Sequence, residues 1–270
     1  MMMKNTGLWV ISTVLLIVLN LASCNNTKPN NQEEESVKKE RPHKKAARKV
    51  APKPKKAKFV SLTDDNLVKV LTAYGKENPE TLVLLKTRLG TMKIKLYENT
   101  PLHRANFIRL IKNNFYDQTM FYRVVENFMI QGGDSDDWER QTIKNKMGKY
   151  TLPAEFRKEN IHKKGALSMA REYEDNPEKR SVPFEFFFVQ GTKYTLPELR
   201  GAEQQYGLDI SDQHKEIYQT VGGTPHLDGQ HTVFGQVIDG LEVIDSISKV
   251  RVDEGDWPIE DIILDFEILK

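Results

Sequence analysis

The chain has 270 residues, 39% of them hydrophobic and 29% charged, so it is long enough to bury a core without disulfide bridges. Residues 1–58 carry 13 Lys and Arg against 4 Glu, a net charge of +9, whereas residues 59–270 carry 27 basic and 34 acidic side chains, a net charge of −7. The acidic part shows no basic face and no motif that reads RNA or DNA, which excludes a nucleic-acid-binding domain. The single cysteine, Cys24, excludes a framework of internal disulfides.

The first residues have the pattern of an export signal. Lys4 supplies a positive charge, residues 8–19 form an apolar run, and small residues precede Cys24. The run is short for a membrane span, which needs roughly 20 apolar residues. The string Leu-Ala-Ser-Cys at residues 21–24 resembles the lipobox of bacterial lipoproteins, which implies a cleaved signal peptide and a lipidated Cys24. An uncleaved anchor and a plain secretory signal are the alternatives.

The segment after the cysteine is predicted to be a disordered, Lys- and Pro-rich linker. Residues 24–58 have too little apolar surface to offset the entropy of ordering, and their like charges and prolines favour an extended chain. The linker is either a solvated spacer or an arm that touches anionic lipid or the cell wall. We expect the protein to be lipid-anchored in the cell envelope and to face the periplasm. Asn25, in place of Asp, favours the outer membrane by resemblance to other lipoproteins.

A short helix is predicted next, as a preface to the main domain. Thr63 can cap it, and the acidic residues 64–65 suit the positive end of the helix dipole. Apolar side chains recur on one face over residues 67–71. Gly75 and Pro79 are predicted to end the helix.

From Leu82 the pattern changes to short strands. Residues 82–96 alternate as a hairpin with one buried face, and residues 262–268 alternate as a terminal strand. Helices are predicted from Thr100-Pro101 to about Asn113, where Pro occupies the first helical position, and over residues 241–248. Many strands with a couple of helices predict a barrel or a sandwich.

Two patterns of metal ligands are incomplete. Asp134, Asp136 and Asp137 lack the glycine and the bidentate glutamate of an EF-hand loop. His226 and His231 lack a third ligand at a matching spacing. We therefore expect neither a metal nor another cofactor.

The segment around Arg123 combines apolar residues with one charge. If residues 121–125 form a strand, Arg123 points to the same side as Phe121 and Val125. Two apolar residues then precede the glycine pair 132–133, where the backbone can be approached closely. The segment predicts either an apolar pocket with one fixed guanidinium or ordinary strand residues beside a snorkelling arginine.

Four blocks in order resemble the cyclophilin-type peptidyl-prolyl cis-trans isomerases. Residues 121–134 meet in full the pattern Phe-x-Arg-x-x-x-x-Phe-Met-x-Gln-Gly-Gly-Asp. The others are Gly-Ala-Leu-Ser-Met-Ala at 165–170, Phe-Phe-Phe-Val at 186–189, and Leu-Asp-Gly-Gln-His-Thr-Val-Phe-Gly at 227–235. The resemblance covers residues 82–270. It implies a mainly β fold, a closed eight-stranded antiparallel barrel with two capping helices, and a substrate groove on its outer face.

The predicted organisation is therefore a signal peptide (1–23), a lipidated linker (24–58), a helical preface (59–81) and an isomerase domain (82–270) with an insertion near 192–220. The resemblance implies a catalytic set of four residues, namely Arg123, Phe128, Gln131 and His231. It also implies a substrate-binding set of six residues, namely Met129, Ala170, Glu185, Phe187, His226 and Leu227. The expected partners are proline-containing polypeptides, and the expected state is a monomer without nucleic acid.

The implied chemistry needs no nucleophile and no proton shuttle. An X-Pro bond rotates slowly because resonance gives a barrier of roughly 18–20 kcal/mol. Apolar walls can hold the proline ring, and the Arg123 guanidinium can hydrogen-bond the prolyl nitrogen as it becomes pyramidal. We expect faster X-Pro rotation in exported or envelope proteins, with little pH dependence between roughly pH 6 and pH 8. The alternatives are a proline-peptide binding module or holdase with little turnover, and a structural lipoprotein tether.

The chain departs from the family pattern in several places. His226 stands where many cyclophilins have tryptophan, and Glu185 stands where they have glutamine, so Glu185 could favour a basic residue beside the proline. Residues 171–182 replace the usual Asn/Gly/Ser-rich loop with charged residues. The insertion at 192–220 contains a predicted helix after Ser211, and it serves either partner selection or no function beyond a tolerated surface loop.

Overall fold

The structure is a computed structural model that describes residues 60–134 and 138–269. The predicted signal peptide, Cys24 and the linker lie outside the described residues, as do Asp136 and Asp137. Within the described ranges, no helix is long and apolar enough to cross a membrane.

The described residues form eleven strands, six α-helices and one 3₁₀ helix. The strands are β1 (Leu62–Thr63), β2 (Leu82–Thr87), β3 (Gly90–Leu96), β4 (Met120–Val125), β5 (Met129–Asp134), β6 (Gly148–Lys149), β7 (Ala166–Met169), β8 (Phe186–Val189), β9 (Val233–Asp239), β10 (Ile262–Ile263) and β11 (Asp265–Leu269). The helices are α1 (Leu67–Glu77), α2 (Pro101–Lys112), α3 (Trp138–Met147), α4 (Leu196–Tyr206), α5 (Asp212–Thr220), α6 (Leu241–Ser248) and the 3₁₀ helix Pro225–Leu227.

Nine strands form one antiparallel sheet in the order β10-β4-β5-β8-β7-β9-β3-β2-β11. The strands at its two edges, β10 and β11, are consecutive in the chain and are separated by Leu264 alone. β10 pairs with β4 and β11 pairs with β2, so this last segment joins the two edges of the sheet. Leu264 is buried, and its N–H donates to the Thr119 carbonyl at 2.9 Å. If β10 and β11 are counted as one interrupted strand, the barrel has eight strands. The predicted closed, mainly β barrel is therefore confirmed.

Helices α2 and α6 pack on the core of this barrel, as predicted. The Phe107 ring of α2 lies 5.6 Å from Phe186, 5.3 Å from Phe234 and 5.3 Å from Phe266, centroid to centroid. Val243, Ile244 and Ile247 of α6 are buried in the same core. Burial of these side chains stabilises the fold, because each Å² of apolar surface removed from water contributes about 25 cal/mol.

The start of α2 is held by a residue that the sequence did not indicate. α2 begins at Pro101 as predicted, but Thr100 makes no side-chain cap. The Glu155 carboxylate instead accepts the backbone N–H groups of Leu102 (3.1 Å) and His103 (2.9 Å), and it also bonds His103 Nδ1 at 2.7 Å. A carboxylate at this end satisfies donors that a helix leaves unpaired and complements the helix dipole.

Helix α1 exists where the preface was predicted, but its ends differ. The predicted cap at Thr63 is wrong, because Leu62 and Thr63 pair in parallel with β6 and the helix starts after Asn66. Asp64 lies outside the first turn and accepts from the Thr151 N–H at 2.9 Å. α1 continues through Gly75 to Glu77. Its apolar face joins the barrel core.

The insertion contains two helices that pack on a small core separate from the barrel core. α5 follows Ser211, whose hydroxyl accepts the His214 N–H at 3.3 Å, so the predicted helix is confirmed. α4 was not predicted, although Thr195 and Glu198 form a capping box that could have identified it. The helix α3 was not predicted either. The small core consists of Leu199, Ile210 and Tyr218 of the insertion together with Ile161, which precedes it in the chain.

Candidate active site

Strand β8 separates two apolar clusters. Phe186 and Phe188 point into the barrel core, whereas Phe187 and Val189 point outward, as alternation along a strand requires. The outward side chains belong to a second cluster, which we call the groove cluster. It consists of Met129, Ala166, Phe187, Val189, Leu227 and Val233, with Tyr97, Val125 and Phe128 packed at its edge.

A β-bulge brings Arg123 to the outer face. The register between β4 and β5 shifts between Phe121 and Arg123, so the two residues do not share a face. Phe121 and Val124 are buried in the barrel core, while Arg123 is exposed and Val125 packs on the groove cluster. The prediction that Arg123 points to the same side as Phe121 is therefore wrong, and the prediction for Val125 is confirmed.

The strand register places the arginine in line with the groove cluster. Arg123 pairs with Gln131 across β4 and β5, and Gln131 pairs with Phe187 across β5 and β8. Arg123 and Phe187 are therefore two strand spacings apart, about 10 Å. Arg123 and the groove cluster therefore lie on neighbouring parts of the same sheet, with Gln131 between them.

The glycine pair of the motif serves the barrel. A Cβ on Gly132 would lie 2.8 Å from the Met120 carbonyl oxygen, and one on Gly133 would lie 2.4 Å from the Phe184 carbonyl oxygen. Gly133 also has φ +106°, which L side chains rarely adopt. The close approach predicted from the pair is made by neighbouring backbone.

Arg123 has an acidic partner that the sequence did not reveal. Its Nε lies 3.5 Å from Oδ2 of Asp256, and both side chains are partly exposed, at 46% and 43%. The Asp256 carbonyl accepts the Val124 N–H at 2.9 Å, which fixes the loop against β4. The pairing joins residues 133 positions apart, and no local pattern signals it.

Gln131 and Glu185 meet at a tyrosine. The Tyr122 hydroxyl donates to Oε2 of Glu185 at 2.7 Å and accepts from Nε2 of Gln131. Burial, followed by the nearby Glu185 carboxylate, raises the pKa of Tyr122 well above its usual range, so the hydroxyl stays protonated. Tyr122 therefore joins the two predicted residues, and it was not itself predicted.

His231 stands edge-on against Phe187, with ring centroids 5.3 Å apart. Its Nδ1 lies 3.1 Å from the Met169 carbonyl oxygen, which can only accept, so Nδ1 carries the proton. Nε2 then accepts from the Tyr173 hydroxyl at 2.8 Å. Burial is the main cause that lowers the pKa of His231 to about 4. The ring is neutral near pH 7, where it shapes the groove.

His226 lies in a row of aromatic rings. It stacks on Phe128 with centroids 5.7 Å apart and planes at 22°, and it contacts Tyr206 at 5.7 Å and 38°. Burial, followed by the nearby His162, lowers the pKa of His226. Tyr206 comes from the insertion and was not predicted.

A buried polar chain supports Phe187 from behind. The His162 ring stacks on Phe187 with centroids 6.1 Å apart and planes at 11°. Asp228 Oδ1 accepts from His162 N and lies 2.9 Å from His162 Nδ1, and Oδ2 accepts from the Tyr218 hydroxyl at 2.5 Å. His162 Nε2 lies 3.0 Å from the Ser168 hydroxyl oxygen. Tyr218 of the insertion is therefore linked through Asp228 and His162 to Phe187 of the groove cluster.

The remaining predicted residue, Ala170, lies beside Glu185 and outside the groove cluster. Its N–H donates to the Glu185 carbonyl at 2.9 Å. In the ranges that the structure describes, no group of three or more His, Cys, Asp or Glu side chains is arranged to hold a metal ion.

A family model for cyclophilin type peptidyl-prolyl cis-trans isomerases matches residues 82–267. The chain belongs to this family. It is 35% identical over 188 residues to a Streptococcus pyogenes protein provisionally named a bifunctional phosphatase/peptidyl-prolyl cis-trans isomerase, covering 68% of this chain but only 37% of that protein. It is 34% identical over 194 residues to a protein of Staphylococcus aureus provisionally named a peptidyl-prolyl cis-trans isomerase, covering 69% of this chain and 90% of that protein.

The fold of the cyclophilin-type domain is that of solved relatives. A crystal structure of a cyclophilin type peptidyl-prolyl cis-trans isomerase from Cryptosporidium parvum aligns with a TM-score of 0.50 and 22% identity. The alignment covers 71% of this chain and 98% of that one. At this identity the likeness establishes the fold alone.

The depressed pKa of His231 predicts an acid-sensitive stability of the cyclophilin-type domain. The folded pKa of about 4 lies below the ordinary value of 6.5, so the unfolded chain binds a proton that the folded chain does not. The contribution of His231 to the free energy of unfolding is therefore fully present above about pH 6.5. This contribution is lost as the pH drops toward about 4, which lowers the free energy of unfolding by about 3 kcal/mol. Urea unfolding at about pH 7.5 and about pH 4.5 should show a smaller loss for His231→Gln than for the wild type, by about 2 kcal/mol. Equal losses would contradict the role assigned to His231.

Proposed function

We propose that this chain accelerates rotation about X-Pro bonds in exported or envelope proteins by an arginine-assisted, non-covalent mechanism. One observation carries the proposal. Arg123 follows a bulge in β4 and is exposed, and Val125, two residues further along the strand, packs on the groove cluster, which supports a guanidinium beside that cluster. A cation beside an apolar surface suits a reaction in which the apolar proline ring is held while the polar amide bond next to it is twisted.

The reaction needs no bond to break. The groove cluster holds the proline ring and removes water from the amide, whose resonance sets the barrier of roughly 18–20 kcal/mol. The guanidinium donates to the prolyl nitrogen as that nitrogen becomes pyramidal, an interaction stronger in the twisted state than in either planar state. Asp256 restrains the guanidinium from the side. Neutral His231 contributes shape, because no proton moves.

The experiment is a cis–trans exchange measurement on a prolyl peptide by NMR, with the full chain added in catalytic amounts. We expect exchange to become faster than the uncatalysed tens to hundreds of seconds. Unchanged exchange rates would refute the proposal. Peptide binding without faster exchange would support the alternative, a proline-peptide binding module or holdase, which the aromatic row of Phe128, His226 and Tyr206 also suits.

We propose further that Cys24 is lipidated and anchors the protein in the envelope, with residues 24–58 as the tether. The lipobox-like residues 21–24 and the export-signal pattern before them support this anchor. The wild-type chain should enter the detergent phase on phase separation and incorporate labelled fatty acid. Cys24→Ser should do neither, whereas the linker variant Lys38→Ala should behave as the wild type. Labelling of Cys24→Ser would count against the anchor.

A further inference from the structure

The insertion holds helix α4 in a fixed orientation. Leu199 of α4 is completely buried in the small core that also contains Tyr218. Glu203 of α4 pairs with Lys215 of α5 at 2.9 Å, and the same carboxylate accepts the Ile210 N–H at 3.1 Å. The position of the last residue of α4 is therefore determined by packing, charge and hydrogen bonding together.

That last residue, Tyr206, extends the aromatic row at the edge of the groove cluster. Phe128 packs on the groove cluster, His226 stacks on Phe128, and Tyr206 contacts His226. Phe128 and His226 are half-buried, whereas Tyr206 is 48% exposed. The row begins at the surface that would hold the proline ring, and it ends at Tyr206, whose ring contacts His226 and is partly exposed to solvent.

We propose that the aromatic row of Phe128, His226 and Tyr206 is a subsite that selects an aromatic side chain next to the substrate proline. The inference rests on the proposed isomerase function and names its substrate class. With the proline ring on the groove cluster, the side chain of the neighbouring residue would extend past the edge of that cluster. At this edge the His226 ring stacks on Phe128. A ring there can stack on the row, whereas a carboxylate would lose water against uncharged rings.

The test compares kcat/KM of the full chain for peptides with Phe, Ala or Asp placed in turn before and after the proline. At one of the two positions the wild type should prefer Phe over Ala by about 2- to 12-fold, the range for one aromatic pair. Tyr206→Ala should lose most of this preference, because kcat/KM should fall more for the Phe peptide than for the Ala peptide. Tyr206→Phe should keep the preference, and so should Gln204→Ala, an exposed change on the same helix.

The outcomes separate the subsite from the isomerase. Activity on all peptides without a preference for Phe at either position would overturn the subsite and leave the isomerase standing. A Phe preference that survives in Tyr206→Ala would also overturn it. Absence of activity on every peptide would overturn both. Circular dichroism checks that each variant folds, and Tyr206→Gln replaces Tyr206→Ala if the smaller side chain unfolds the helix.

Discussion

Arg123→Ala is expected to lower kcat/KM for prolyl peptides by about 100- to 1,000-fold, the usual effect of removing one preorganised donor to a transition state. The ground-state peptide should bind almost as well, because the groove cluster that holds the proline ring is unchanged. The loss should therefore appear in kcat and not in the affinity for a peptide. NMR exchange rates together with a binding titration measure the two separately.

Two variants control this result. Arg123→Lys keeps the positive charge but loses the planar guanidinium, and we expect an intermediate rate. Arg200→Ala removes an exposed arginine on α4 and should leave the rate unchanged. If Arg123→Ala and wild type gave equal rates, Arg123 would not be catalytic, and the groove would be better explained as a binding site for proline peptides.

Asp228→Ala is expected to lower the free energy of unfolding by about 3 to 5 kcal/mol. The side chain is 21% exposed, and its two oxygens serve His162 and Tyr218, which are otherwise buried. Removing the carboxylate leaves the His162 N–H, the His162 ring nitrogen and the Tyr218 hydroxyl without their partner. Equilibrium unfolding in urea measures the loss.

The same change should also reach the groove, because His162 stacks on Phe187. We expect kcat/KM to fall in Asp228→Ala even at temperatures where the variant is folded. Asp209→Ala, an exposed change in the insertion, should affect neither stability nor rate. An ordinary point mutation lowers the free energy of unfolding by about 1 kcal/mol. If Asp228→Ala and Asp209→Ala differed by less than this, the chain of Tyr218, Asp228 and His162 would not support Phe187.

The barrel and most of the site could be predicted from local sequence. Alternation over residues 82–96 and 262–268 predicted strands that the structure contains, because a strand with one buried face repeats every second residue. Pro101 correctly marked the start of α2, because its fixed φ suits a first helical position. The motif around Arg123 identified the strand pair that carries the arginine and Gln131.

The three-dimensional arrangement decided what these residues contact. The bulge that turns Arg123 outward depends on how β4 pairs with β5. A one-residue shift in this pairing moves the following side chains to the opposite face of the sheet, and the sequence pattern does not reveal it. Asp256 reaches Arg123, Tyr218 reaches Asp228, and Tyr206 reaches His226 only because separate segments fold together. The sequence by itself determined the fold, the family and the arginine with its apolar neighbours. Tertiary packing determined the acidic partner of that arginine and the addition of Tyr206 from the insertion to the aromatic row, since contacts between distant segments leave no periodic signal along the chain.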